Sequence, residues 1–409
     1  MALIVQKYGG TSVRDIDRIR NVALRIAKTR DRGDDVVVVL SAMSGVTDRL
    51  LQTAGEITDR PEKRELDVLL ATGEQTTVAL MAITLSSMGY KARSLLGYQA
   101  EILTDGMSTK ARIRDIGSGR IRSLLDEGHI VVVAGFQGAD SEGNITTLGR
   151  GGSDTSAVAI AAAVKADECE IYTDVDGIYT ADPNICSKAK KLDRISYDEM
   201  LEMASLGAKV LQIRSVEFAR KYNVVIHVRS SFNDEKGTIV VHEDSNMEKM
   251  IVSGVTHSKD VARITLLKVP DQPGIATGIL SPIADAGIQV DIIIQNTRAG
   301  NMTDFTFTVP RTDYAAAMEI ENKVAKEIGA SEVRGDDMVA KISVVGVGMR
   351  SHSGVAAKMF AALATENINI RMISTSEIRI SCVIEEKYTE LAVRTLHTAF
   401  GLDDENKTV

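Results

Sequence analysis

Apolar positions follow one pattern up to about residue 230 and a different one beyond it. In the first part, short near-continuous apolar runs recur: Leu3 to Val5, Val36 to Leu40, Ile130 to Ala134, Glu170 to Thr173 and Val224 to Val228. Runs without strict alternation are what strands buried on both faces of a mostly parallel sheet present. Between them, Asp15 to Ala27, Ala157 to Val164 and Met200 to Val210 carry apolar residues at helical spacing and suit covering helices. The expected first domain, residues 1–245, is therefore α/β, an αβα sandwich on a mostly parallel sheet. The polar stretch Ser230 to Thr238 reads as the exit from it. Ligands in such sheets bind beyond the carboxyl ends of the strands, so the residues just after each run are the place to look for chemistry.

Farther on, the chain repeats itself. Ile264 to Leu267 leads to Asp271-Gln272-Pro273-Gly274, a helical pattern, then Ile288 to Asp291. Ile342 to Val345 leads to Ser351-His352-Ser353-Gly354, a helical pattern, then Ile368 to Arg371. Gly274 to Gly354 and Ile288 to Ile368 are the same distance apart, 80 positions, so the register holds across the unit. Each copy continues into an alternating run, Phe305 to Val309 and Ile378 to Ile384, as a half-buried antiparallel strand would. Two βαββ-type modules are expected, at 262–338 and 339–409. They read either as a small-molecule sensor or as a dimerisation or spacer domain.

Composition narrows the function. At 409 residues and 44% hydrophobic, the chain can bury a large core. A net charge of -8, from 48 basic and 56 acidic residues with no Lys/Arg tract, argues against nucleic acid or a membrane surface as the main partner. Cys169, Cys186 and Cys382 lie far apart, which suggests neither a disulfide framework nor a zinc site and fits a reducing cytoplasm. There is no signal-peptide pattern, and no apolar stretch is read as approaching the ~20 residues that span a bilayer. The expectation is a cytoplasmic protein.

Five stretches concentrate residues able to carry chemistry. "VQKYGGTSV", residues 5–13, reads as strand, glycine turn and helix, with Ser12 and Asp15 resembling a capping box that starts the helix near Val13. Bare glycine backbone, a helix N-terminus and Lys7 together suit an anion, phosphate being the natural candidate; the plainer reading is an ordinary turn with a solvated lysine. "SAMSGVTD" (41–48), "ATGEQT" (71–76), "TTLGRGGSDTSA" (146–157) and "YTDVDGIYTADPN" (172–184) are each placed at strand ends. Arg150 among glycines can clamp a carboxylate with two parallel hydrogen bonds, which suggests a carboxylate substrate. Glu74 is either the partner of a substrate ammonium or a solvated helix-start carboxylate, and Asp154 is either functional or a cap. Taken singly, residues 172–184 read as a surface loop and Lys209 as a solvated lysine. The chain has no Gly-Lys dipeptide and hence no P-loop, no strand-linked GxGxxG at its start, and neither an HRD loop nor a DFG.

With "MASLGAKVL" (203–211), these motifs in this order resemble the aspartate kinases of the amino acid kinase superfamily, and the paired modules resemble their ACT domains. The resemblance spans essentially the whole chain. It implies that Lys7, Gly9 and Gly10 cradle phosphate, with Lys7 and a second lysine, Lys209, on the ATP phosphates and Asp154 orienting the catalytic lysine. It places Ser41, Thr47, Glu74, Arg150, Gly151, Gly152 and Ser153 around L-aspartate, with Glu74 on its ammonium and Arg150 on its α-carboxylate. Thr173, Asp174, Tyr179, Asp182 and Asn184 match the nucleotide loop. The implied cofactors are ATP and Mg²⁺, the metal carried by the nucleotide rather than by protein ligands. The implied effectors are lysine, threonine or both, at Asp271, Gln272, Pro273, Gly274, Ile275, Ala276, Asp291 and Gln295. A further effector site would use Ser351 to Val355 and Asn367 to Ile370. A strand near 250–256 would complete the second module, and the ACT modules would pair chains into at least a homodimer. A shorter subunit could start at Met247 or Met250. The alternatives are a kinase for glutamate or another acid, and a catalytically silent amino acid sensor.

Overall fold

Val36 to Val39 and Val131 to Val133 are wholly shielded from water, and strands that bury both faces in this way lie inside a sheet, not at its edge. The computed structural model describes residues 1–206, 210–243, 250–298 and 301–404. It divides into two units, the first of Met1–Ile178, Lys191–Ser205 and Lys209–Met247, the second of Tyr179–Lys190, Leu206–Ala208 and Glu248–Val409.

The first unit opens with β1 (Leu3–Tyr8), α1 (Ile16–Asp31), β2 (Asp35–Leu40), α2 (Val46–Ile57), α3 (Lys63–Ser87) and β3 (Ala92–Leu95). It continues through β4 (Ile102–Thr104), β5 (Ile113–Ile116), α4 (Gly119–Asp126), β6 (Ile130–Ala134), β7 (Gln137–Ala139) and β8 (Ile145–Thr147). It ends with α5 (Gly152–Ala163), β9 (Glu168–Thr173), β10 (Arg194–Ser196), α6 (Tyr197–Ser205), α7 (Ile213–Tyr222), β11 (Ile226–Ser230) and β12 (Thr238–Val241). Eight strands form one sheet in the order β10-β12-β11-β9-β1-β2-β6-β3, parallel throughout except for the β11–β12 pair. β1 lies inside it, with Lys7 opposite Val39 on β2 and Ile171 on β9. Ile19, Val22 and Ile26 of α1 and Val78, Met81 and Leu85 of α3 pack on Val36, Val38, Ile130 and Val132. α5 packs against β1, β2 and β9 and is buried over most of its length.

Two expectations change here. A second sheet, β5-β4-β7-β8, is built from strands of three or four residues, too short to show a period in the sequence. The 25-residue α3 is by length and composition apolar enough to cross a membrane, which corrects the reading that no stretch approaches that length. In this fold it is a core helix, and its buried face carries two carboxylates, Asp67 and Glu74.

The second unit holds β13 (Gly254–Ser258), β14 (Ala262–Pro270), α8 (Ile275–Asp285), β15 (Ile293–Arg298), β16 (Met302–Val309), α9 (Tyr314–Ile328) and β17 (Glu332–Asp336). The chain then runs through β18 (Val339–Val345), α10 (Val355–Thr365), β19 (Met372–Thr375), β20 (Arg379–Glu385) and α11 (Thr389–Ala399). The sheets are β15-β16-β14-β17 and β13-β18-β20-β19, so each module carries a second helix beyond the βαββ pattern. β17 supplies the fourth strand of one, and β13, which precedes both modules, supplies that of the other. Val261, Ile292, Val339, Met372 and Val383 form an apolar seam joining the two modules.

Glu321 breaks the apolar stripe of α9. It is fully buried among Ala317, Val324 and Ala325, neither carboxyl oxygen has a hydrogen-bond partner, and burial pushes its pKa up to about 7. The unfolded chain, with an ordinary Glu near 4.5, binds fewer protons than the fold between about pH 4.5 and 7, so stability falls as pH rises through that window. Glu321→Met is expected to raise stability by about 1–3 kcal/mol at pH 8 and by much less at pH 5. Thermal unfolding of both proteins at the two pH values checks this.

Candidate active site

Lys7 is the penultimate residue of β1, and its Nζ lies 2.6 Å from Oδ1 of Asp154 in the first turn of α5, with both side chains about 11% exposed. An ammonium and a carboxylate this deeply buried are stable only as a pair, and the N-terminal end of α5 adds to the stability of the anion. Gly9 and Gly10 follow. A Cβ on Gly10 would lie 2.8 Å from the carbonyl oxygen of Ala42, so only glycine lets the turn pass that close. Gly9 lies against the Lys7 ammonium, which a Cβ there would approach to 3.5 Å, so the turn places backbone directly beside the lysine.

The helix does not begin at Val13. Gly10–Val13 is a single 3₁₀ turn, and α1 starts at Ile16 with Asp15 as its cap, accepting the Arg18 N–H at 2.9 Å. The capping box is thus corrected to a cap by Asp15 alone. The Ser12 hydroxyl instead meets that of Ser231 at 2.5 Å.

Glu74 is not at a strand end or a helix start. It sits midway along α3, 3% exposed, where Oε1 accepts the Ala42 N–H at 2.9 Å and Oε2 has no partner. Burial pushes its pKa up to about 7, opposed by the hydrogen bond from Ala42. Gly73 permits this approach, since a Cβ there would come 2.8 Å from that of Ala42. Ala42 therefore lies between the glycine turn after β1 and the carboxylate of α3. Ser41 and Thr47, both half-buried, stand on either side of the Ala42–Gly45 loop, and the Ser41 N–H donates to the Tyr8 carbonyl at 3.2 Å.

The segment 147–153 is gripped from two sides. Asp67, fully buried on α3, accepts the Thr147 hydroxyl at 2.5 Å and the Thr109 N–H at 2.9 Å. Arg214 of α7 donates to the Leu148 carbonyl at 2.7 Å and to the Ala111 carbonyl at 3.1 Å. Gly151 has φ +71°, and a Cβ there would collide with Gln212 at 1.8 Å. Between these anchors Arg150 is exposed and has no ion-pair partner among the described residues. Gly152 and Ser153 lead from it to Asp154, whose carboxylate is on Lys7 instead of capping α5. Sequence reasoning missed Asp67, Gln212 and Arg214. Asp67 had a signal: it precedes Glu74 by two helical turns, so two acids share one face of an apolar helix.

Thr173 ends β9, and its hydroxyl donates to Asp174 at 3.1 Å. Tyr179, Asp182 and Asn184 belong to the second unit, where Asp182 accepts the N–H and side-chain amide of Asn184 at 2.9 and 3.0 Å. Lys209 and Met247 lie outside the described residues. Asp271, Gln272, Pro273 and Gly274 are exposed ahead of α8, whose first residues Ile275 and Ala276 are buried and half-buried. Gln295 and Asp291 are exposed, and Asp291 already pairs with the ammonium of Lys341, a buried residue of β18.

The model of the Amino acid kinase family matches residues 2–230, and an ACT domain model matches residues 342–400. An aspartate kinase of Pseudomonas fluorescens is 60% identical over 406 residues, 98% of each chain. An aspartokinase of Mycolicibacterium smegmatis is 51% identical over 414 residues, 100% of this chain and 98% of its own. Among solved structures, E. coli aspartokinase III in complex with aspartate and ADP (R-state) is similar with a TM-score of 0.79 at 25% identity, covering 97% of this chain and 99% of that one. Matched along its full length by relatives of this kind, the chain belongs to the amino acid kinase family and, within it, to the aspartate kinases.

Proposed function

We propose that this aspartate kinase transfers the γ-phosphoryl group of ATP to the side-chain carboxylate of L-aspartate, giving ADP and 4-phospho-L-aspartate. The observation that carries the reading is the buried Lys7–Asp154 pair beside the Gly9–Gly10 turn. A carboxylate oxygen attacks the γ-phosphorus in line, and the bond to the β-phosphate oxygen breaks, leaving its electron pair on ADP. No general base is needed, because the nucleophile is already ionised near neutral pH. Catalysis then reduces to positioning and charge neutralisation. Lys7, oriented by Asp154, neutralises the transferring group, the Gly9 and Gly10 backbone supports it, and Lys209 acts as a second cation. The Asp154 carboxylate is engaged by Lys7, and Mg²⁺ carried by the nucleotide would supply further neutralisation. Thr173, Asp174, Tyr179, Asp182 and Asn184 hold the nucleotide.

Arg150 clamps the α-carboxylate of aspartate, Gly151 and Gly152 clear its approach, and Ser41, Thr47 and Ser153 offer hydroxyls. The unpartnered oxygen of Glu74 takes the substrate ammonium. Lysine, threonine or both bind the first ACT module at Asp271 to Ala276, Asp291 and Gln295. An effector ammonium there has to share Asp291 with Lys341. Ser351 to Val355 and Asn367 to Ile370 form the corresponding site of the second module. The working assembly is at least a homodimer through these modules, with a shorter subunit possible from Met247 or Met250.

Steady-state kinetics with MgATP and aspartate test the assignment. Lys7→Ala is expected to lower kcat by about 100- to 1000-fold with little change in the KM for aspartate. Arg150→Ala is expected to raise that KM by about 10- to 100-fold while leaving the KM for ATP in place. Comparable losses on both substrates for Arg150→Ala would remove it from the aspartate site.

The pH profile tests Glu74. Protonated, its carboxyl cannot pair with an ammonium, so kcat/KM for aspartate should fall as pH drops through about 7 and level off above it. Glu74→Gln should give a lower and flat profile. The same inflection in Glu74→Gln would assign the titration to another group.

A further inference from the structure

The first unit holds a cavity of about 560 Å³ bounded by β5, α5 and α7, and none of the residues assigned to aspartate or ATP lines it. Four cations face it, Arg112, Arg114, Arg214 and Lys221, against two carboxylates, Asp115 and Glu217. Arg112, Arg114 and Lys221 have no ion-pair partner among the described residues. Burial, and then the charge of Arg112, hold the Arg214 guanidinium below its usual pKa. Glu217 and Asp105 offset part of this repulsion, but the lining keeps four cations against two carboxylates, an excess of positive charge that a bound anion would balance. Guanidinium groups fit phosphate oxygens two at a time. The remaining wall is apolar, formed by alanines of α5 and the rings of Phe218 and Tyr222.

We propose that this cavity is a second ligand site, for a small phosphate ester whose apolar or planar body lies against α5 and the two rings. Arg214 is its inner anchor, because the same guanidinium already holds the carbonyls of Leu148 and Ala111. Leu148 precedes Arg150 by two residues, so a phosphate that fixes Arg214 also fixes the base of the loop carrying Arg150. That consequence rests on the reading of Arg150 as the aspartate clamp; the site itself does not.

Isothermal titration of the full chain with phenyl phosphate, with inorganic phosphate as the comparison, tests the site. Phenyl phosphate is expected to bind more tightly than inorganic phosphate. Lys7→Ala should retain this binding, which separates the cavity from the ATP site. Arg112→Ala combined with Arg114→Ala should weaken it by about tenfold or more at unchanged basal turnover, and Lys221→Ala by a smaller factor. The proposal is overturned if the wild type binds neither probe at millimolar concentration. It is overturned equally if the arginine and Lys221 variants bind as tightly as the wild type, or if Lys7→Ala alone abolishes binding. Loss of aspartate kinase activity in Arg150→Ala, or its absence, leaves these outcomes unaffected.

Discussion

Moving a lone ammonium or carboxylate out of water costs roughly several kcal/mol even in a relaxed protein, so Lys7 and Asp154 can be buried only together and only at close range. That requirement fixes two elements at once. β1 must not slide, and it is held by parallel strands on both sides. α5 must begin at one place, and Gly151 and Gly152 let its first turn pack where side chains would collide with Gln212, Leu148 and Phe136. The ammonium of Lys7 is thereby set in position by the fold itself.

α3 does the corresponding work for the other half of the site. It carries Asp67 and Glu74 on its buried face, two turns apart, and each holds a different loop: Asp67 the Thr147 end of the arginine loop, Glu74 the Ala42 loop beyond β2. Asp67 has both oxygens engaged, whereas Glu74 keeps one free, and the free one is the oxygen available to a ligand. One rigid helix thus fixes the spacing of two loops, because both acids project from its buried face.

What could be read from the sequence followed from the strength of each local signal. Apolar runs such as Val36 to Leu40 and Ile130 to Ala134 gave their strands directly, because a run buried on both faces leaves no polar positions to confuse its period. The 80-residue repeat gave two modules. The strand ending at Tyr8 and the glycine turn after it were legible because turn chemistry is local. Glu74 was misplaced because "ATGEQT" holds a glycine and polar residues that resemble a turn, and tertiary packing against Ala42 overrides that local preference. Asp15 was taken for the far end of a capping box because spacing alone cannot distinguish the two acceptors. Arg214 and Gln212 act on a loop some sixty residues away in the chain, and nothing in their own surroundings records that partner.

The second unit depends on the same kind of constraint. Its later module is not closed by its own residues: β13 comes from ahead of both modules, and Ala181 and Cys186 fill part of its core. Thr180, between them and β9, is held by backbone bonds to Lys190 and Val255 and by its hydroxyl to Lys190 and His397 at 2.9 Å. A ligand shifts such a module only by its differential affinity for alternative packings. The segment is continuous in sequence with Thr173 and Asp174.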